Sequence, residues 1–300
     1  MMGERRVDQS ALFYAFSLER HVPADHLLRS IDRFVELDGL RAHLAPFYSA
    51  IGRPSVDPEL LIRMLLVGYC FGIRSERRLC EEVHLNLAYR WFCRLGLDGD
   101  VPDHSTFSKN RHGRFRDSDL LRELFETVLR RCIAEGLVGG EGFAVDASLI
   151  KADANRQRCV PGDEGLPPEA ASRAIDEYLA VLDDAAFGGA TPVTPKFISP
   201  ADPASRWTGP NTPMRKVTRS IHEGARDFAR DIARTDAYVV SRRERKKVEM
   251  LFAHLKRILK LDRLRLRGPN GAKDEFLLAA TAQNLRKLAK LIPPPTPATA

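Results

Sequence analysis

The stretch GFAVDASLI, residues 142–150, is the one convincing β-strand in a chain of 300 residues, and it carries a carboxylate, Asp146, in its middle. The breakers Gly139, Gly140 and Gly142 precede it, and Phe143, Val145, Leu149 and Ile150 supply β-forming side chains. A single strand cannot build a sheet, because its backbone N–H and C=O groups have no partners. The expected fold class is therefore mostly α. An unpaired buried carboxylate is costly, so Asp146 must find a counter-charge, hold a cation or stand exposed at a sheet edge.

The flanks agree with a helical chain. Residues 23–136 place apolar side chains at three- and four-residue spacing, which predicts an N-terminal helical bundle. In SVDPELLIRMLLVGYCFG, Ser55 or Asp57 can cap, Pro58 suits a first helical position, and Leu60, Leu61, Met64, Leu65 and Tyr69 form the buried face. Ser75 opens a second helix whose Leu79, Val83, Tyr89, Trp91 and Phe92 pack against the first. VPDHSTFSKNRHGRF then predicts a turn at Pro102, a cap at Asp103 or Ser105 and a short basic helix, giving a helix-turn-helix-like arrangement. Residues 160–216 are rich in Pro, Gly and Asp, with one expected helix at PPEAASRAIDEYLAVLDDAA and an expected linker over 188–216. Helical periodicity returns from Met214 to Leu291. The expected domains are 20–136 and 140–292.

Charge points to a polyanion. The chain carries 47 Lys+Arg against 40 Asp+Glu, a net +7 with a pI near 9.3. Arg215 to Arg267 alone holds 17 Lys/Arg and 7 Asp/Glu, a local excess of ten. Such density suits phosphate contacts as well as a solvated helix face. The five cysteines are widely spaced, with no CxxC and no zinc spacing, so they read as reduced thiols of a cytoplasmic protein. No stretch approaches 18 apolar residues, so neither secretion nor membrane insertion is expected.

A second carboxylate stands out in YVVSRRERKKVEMLFAHLKRILKLDRLRLRG. On a helix, Arg245, Glu249, Phe252 and Lys256 fall on or near one face, so Glu249 lies between cations. Phosphodiester-cutting sites use carboxylates to hold divalent metals, with basic residues around them to grip phosphates. An isolated Glu of this kind can equally be an ordinary surface ion pair.

FAVDASLIKADAN, the helix RRERKKVEMLFAHLKRILKLDRLRLRG and the tail AATAQNLRKLAKL together resemble bacterial insertion-sequence transposases of the DDE class. The block from IGRPSVDPELL to FCRLGL, followed by VPDHSTFSKNR, is similar to the N-terminal domain of the same transposases, so the resemblance covers roughly residues 20–292. It implies an RNase H-like α/β core in which two Asp and one Glu hold two Mg²⁺ (or Mn²⁺) ions for in-line attack on DNA. Asp146 matches the first carboxylate and Glu249 the last. Arg245 and Lys256 fill the basic positions four before and seven after the Glu, while Arg242 stands where the family's Tyr is expected. The resemblance also implies DNA partners, the terminal inverted repeats and the target, a possible homo-oligomer, and a cytoplasmic, nucleoid-associated location. Expected DNA contacts are Arg242, Arg245, Lys246, Lys247, Lys256, Arg257, Lys109 and Arg111, with Arg74, Arg77, Arg78, Arg90 and Arg114 as further surface cations. His104, Ser105 and Thr106 are expected to open a helix whose N-terminus can meet phosphate.

The family's middle Asp has no match. Only 102 residues separate Asp146 from Glu249, and no second strand lies between them. The remaining acids, Asp163, Asp176, Asp183, Asp184, Asp202, Asp227, Asp231 and Asp236, sit in loop-like or helical sequence. An internal deletion near RWTGPNTPMRKV accounts for this and would remove most of the core sheet, leaving a remnant of the α/β core with weak or absent cleavage. Three expectations follow: an enzyme completed from elsewhere, a DNA-binding relic that inhibits an intact copy, or a stable N-terminal fragment ending near residue 136 with the later segments loosely ordered.

Overall fold

The computed structural model describes residues 15–49, 51, 52, 54–138, 150–152, 156–166, 172–177, 197–203 and 234–293. Among them the architecture is mostly α, as the helical periodicity predicts. Among the described residues, nine α-helices precede residue 140: α1 Leu18–His21, α2 Leu27–Asp32, α3 Leu40–Leu44, α4 Pro58–Cys70, α5 Glu76–Leu85, α6 Leu87–Phe92, α7 Ser105–His112, α8 Arg114–Asp117 and α9 Leu120–Ala134. Two long helices follow, α10 Asp236–Arg257 and α11 Gly268–Leu291. The described residues carry one two-stranded antiparallel ladder, β1 Val160–Pro161 with β2 Phe197–Ile198, in the register Val160 to Ile198 and Pro161 to Phe197. The residues of the expected strand from 142 to 149 lie outside the described ones, as do Asp183, Asp184, Asp227 and Asp231. The expected linker 188–216 is described only at 197–203, where it contains β2, and Ser199 and Asp202 beyond that strand are buried.

Contacts group the chain into two compact units. One comprises residues 1–67, 76–118 and 285–300, the other 68–75 and 119–284. Two of the four boundaries, at 67/68 and 284/285, cut through helices, α4 and α11.

In the first unit, Pro58 opens α4 and the Asp57 carboxylate accepts the Glu59 N–H at 3.0 Å. Residues 61–70 are all buried, which fits a helix apolar on every side at the centre of a bundle. The buried set includes Arg63. Its guanidinium pairs with Asp32 at 2.8 Å and Glu59 at 3.0 Å and donates to the Phe92 carbonyl at 3.2 Å. Those partners let a charge sit inside. Asn86 separates α5 from α6 and caps α6, accepting from the N–H groups of Ala88 (2.9 Å) and Tyr89 (3.2 Å). Trp91 is held between the guanidinium groups of Arg29 and Arg94, at 4.6 and 5.6 Å from its ring, and its indole N–H donates to Glu19 at 2.5 Å. The end of α11 belongs to this unit, where Arg33 donates to the Ile292 and Pro293 carbonyls at 2.6 and 3.0 Å. A fragment ending near residue 136 would lack these last residues.

In the second unit, Leu120, Leu121, Leu124, Val128 and Cys132 form the buried stripe of α9 at helical spacing. After α10 the chain turns through Leu259 and Leu261, both fully buried, and enters α11, whose Leu278, Ala279 and Ala282 are buried too. The turn 71–75 lies against the end of α10. Gly72 adopts φ +68°, and a Cβ there would stand 2.8 Å from Cγ of Lys260 and 3.0 Å from the Ile258 carbonyl oxygen, so only glycine fits.

Candidate nucleic-acid interface

The turn expected at Pro102 falls instead at His104, the N-cap residue of α7, and the expected capping carboxylate of Asp103 acts from one residue before it. The Asp103 carboxylate accepts the Ser105 N–H at 2.8 Å and faces His104 Nδ1 at 3.1 Å. The Ser105 side chain first, then its backbone N–H and His104, hold this carboxyl below the usual range. A fixed negative charge therefore occupies the start of α7, and the expectation of a phosphate at that helix N-terminus does not fit the site.

The cations of the first unit sort by burial. Lys109 is exposed on α7. Arg111, expected to meet DNA, is instead buried, and its guanidinium pairs with Glu76 at 2.5 Å. Arg90 is also buried, donating to the carbonyls of Gly96 (2.8 Å) and Gly99 (2.6 Å), where it ties the turn after α6 to the helix. Arg114 stacks 4.2 Å over Tyr48 and donates to Asn110 Oδ1 at 3.2 Å. Arg77 and Arg78 are exposed, and Arg78 pairs with Glu82 one turn on. In the second unit, Arg74 lies over the Tyr69 ring at 4.4 Å and forms an ion pair with the fully buried Glu275. Arg74, Arg90 and Arg111 are thus structural cations, made costly to expose by the carboxylates and carbonyls that surround them.

The basic face lies on α10. Thr235 caps it, accepting the Tyr238 N–H at 3.2 Å. Through Met250 none of its described side chains is buried. Arg242, Arg243, Lys246, Lys247 and Glu249 are exposed, as are Val239, Val240 and Met250. From Leu251 to Lys256 the helix is half-buried, and Arg257 is exposed. Its C-terminal half is fastened by Gln283 of α11, whose amide donates to the Leu251 carbonyl at 3.0 Å. Glu275 fixes the following turn by accepting the N–H groups of Arg265 and Leu266. α10 is thus anchored at one end and open to solvent at the other.

The described residues hold little of a metal centre. Asp146 lies outside them. Glu249 points into solvent on α10. Among the other carboxylates considered, Asp163, Asp176 and Asp236 are exposed and Asp202 is buried behind β2. Among the described residues, no three His, Cys, Asp or Glu side chains come together where they could hold a cation. These residues therefore do not build the two-metal site that the triad requires. One backbone feature bears on Asp146: five residues downstream of it, Lys151 forms a parallel bridge to Arg263. The Lys151 N–H donates to the Asp262 carbonyl at 3.3 Å, and its own carbonyl accepts the Leu264 N–H at 2.8 Å. Lys151 is thus pinned to the segment leaving α10, a pairing that no sequence pattern announces.

Among the described residues no helix is long and apolar enough to cross a membrane. No solved structure matches the chain. Two family models do. The transposase domain DUF772 matches residues 16–113, and the transposase DDE domain matches residues 208–289, a span that includes Glu249 but not Asp146. The C-terminal helices are accordingly what remains of an RNase H-like core, a fold family whose transposases use divalent metal and act on DNA. With these matches covering more than half of its length in the expected order, the chain belongs to the insertion-sequence transposases of the DDE class.

Proposed function

We propose that this transposase binds DNA at the ends of its element but is catalytically impaired, because the second metal-binding Asp is lost. The observation that carries the reading is Glu249. It sits on an exposed helix face among cations, with no second and third carboxylate beside it among the described residues. Asp146 and Glu249 are the surviving ligands for Mg²⁺ or Mn²⁺, and two carboxylates without the third hold metal too weakly to align both the attacking and the leaving oxygen. Lys109 and the exposed α10 cations Arg242, Lys246, Lys247 and Arg257 supply phosphate contacts, with Arg245 and Lys256 flanking Glu249 in sequence. Binding would be to terminal inverted repeats in the nucleoid. Mixed homo-oligomers would then let the chain inhibit an intact copy.

A gel assay tests this. Full-length protein is incubated with duplex carrying the element's terminal repeats and Mg²⁺ or Mn²⁺, with Asp146→Ala as control. A sequence-specific shift without nicking is expected. Nicking that disappears in Asp146→Ala would show that a third ligand completes the site and would refute the impairment.

A further inference from the structure

We infer that the open half of α10, residues 236–250, lies in the major groove of duplex DNA. This rests on the DNA-binding reading above and specifies how the duplex is held. Fifteen helical residues span about 22 Å, long enough to lie along a groove. None of its described side chains is buried. Its charge selects the occupant. At about 100° per residue, the exposed Arg242, Lys246, Arg243 and Lys247 spread over roughly 140° of the helix circumference. A helix lying on a flat anionic surface needs cations along one line only. Cations on both flanks suit a groove with phosphates on each wall, and the major groove, about 12 Å wide, admits one α-helix. Of the exposed side chains, Val239 and Met250 fall within that arc beside Asp236 and Val240 lies just beyond it, and the three apolar ones offer the contacts that thymine methyl groups accept. The helix is held by Gln283 at Leu251, just past this half.

The test uses the full chain and a fluorescent mixed-sequence duplex of about 20 base pairs, with affinity followed by anisotropy from 50 to 200 mM salt. Replacing Arg243 and Lys246 together by alanine removes two phosphate contacts. The slope of log affinity against log salt should fall by about 1.8, and affinity at the low-salt end should drop most. The charge-conserving R243K/K246R keeps the slope and guards against misfolding. R122A/R130A removes two exposed cations of α9 that are already paired with Glu126 and Glu123, and it too should leave the slope unchanged. The major-groove ligand methyl green should displace the protein, and the minor-groove ligand distamycin should not. A slope unchanged in R243A/K246A, or displacement by distamycin alone, overturns the placement while leaving DNA binding intact. Absence of binding by the unaltered chain both to this duplex and to one carrying the element's terminal repeats would instead sink the DNA-binding reading itself.

Discussion

Glu275 is the group whose loss should cost the second unit most. Its carboxylate is fully buried, pairs with an Arg74 side chain only 4% exposed, and accepts the N–H groups of both Arg265 and Leu266. Glu275→Ala removes the counter-charge of a buried guanidinium and orphans two amides. Breaking a buried pair from one side costs about 3–5 kcal/mol, and each unsatisfied buried amide about 1–3 kcal/mol, with overlap between the two figures. A loss of about 4 kcal/mol is therefore expected. Glu275→Gln keeps an acceptor for the amides but not the charge and should fall between that value and wild type. The double variant R74M/E275L, apolar and of similar volume, should recover part of the loss because no charge is left stranded. Urea unfolding followed by far-UV circular dichroism on all three measures it. A cost for Glu275→Ala below about 1 kcal/mol, or a double variant no better than Glu275→Ala, would refute the account.

Three further outcomes follow from burial and charge. Arg111→Ala strips a buried partner from Glu76 and should destabilise by about 3 kcal/mol or more, whereas Lys109→Ala should stay within about 0.5 kcal/mol in the same unfolding assay. Because the folded pKa of Asp103 is lowered, its stabilising contribution is complete above about pH 4 and fades as pH falls toward the lowered value; an acid titration of Asp103→Asn should lack that part of the decline. Burial first, then the charges of Asp103 and Glu76, raises the Cys80 thiol to about 11, and burial raises Cys93 to about 12. At pH 7.5 iodoacetamide should therefore label Cys80 on the order of a hundredfold more slowly than an ordinary thiol, and Cys93 only after denaturation, as mass spectrometry can score.

What sequence could reveal followed the range of the interaction. The α4 start at Pro58, the Asp103 cap and the apolar stripe of α9 are set within one or two helical turns, so spacing and capping residues announce them. Glu249 was legible as one cation-flanked acid on a long basic helix, and its exposure is what an isolated charged face predicts. The fates of Arg74, Arg90 and Arg111 were not legible. Arg74 and Glu275 are 201 residues apart, and Arg111 and Glu76 meet across two helices, so composition counts all three arginines as surface charge when they are interior ones. The β1–β2 ladder hid for the same reason: two-residue strands in Pro-rich sequence leave no alternation to read, and only the partner strand defines them.

The clasp of Arg33 on the last turn of α11 has a consequence for synthesis. The first unit spans residues 1–67 and 76–118 but also needs 285 onward, so it stays unfinished on the ribosome while 166 intervening residues are made. At about 5–20 residues per second that interval lasts roughly 8–33 s. For that time the side chains that will meet α11 lack their cover, and the nascent chain presents them to chaperones and to neighbouring polypeptides rather than to DNA.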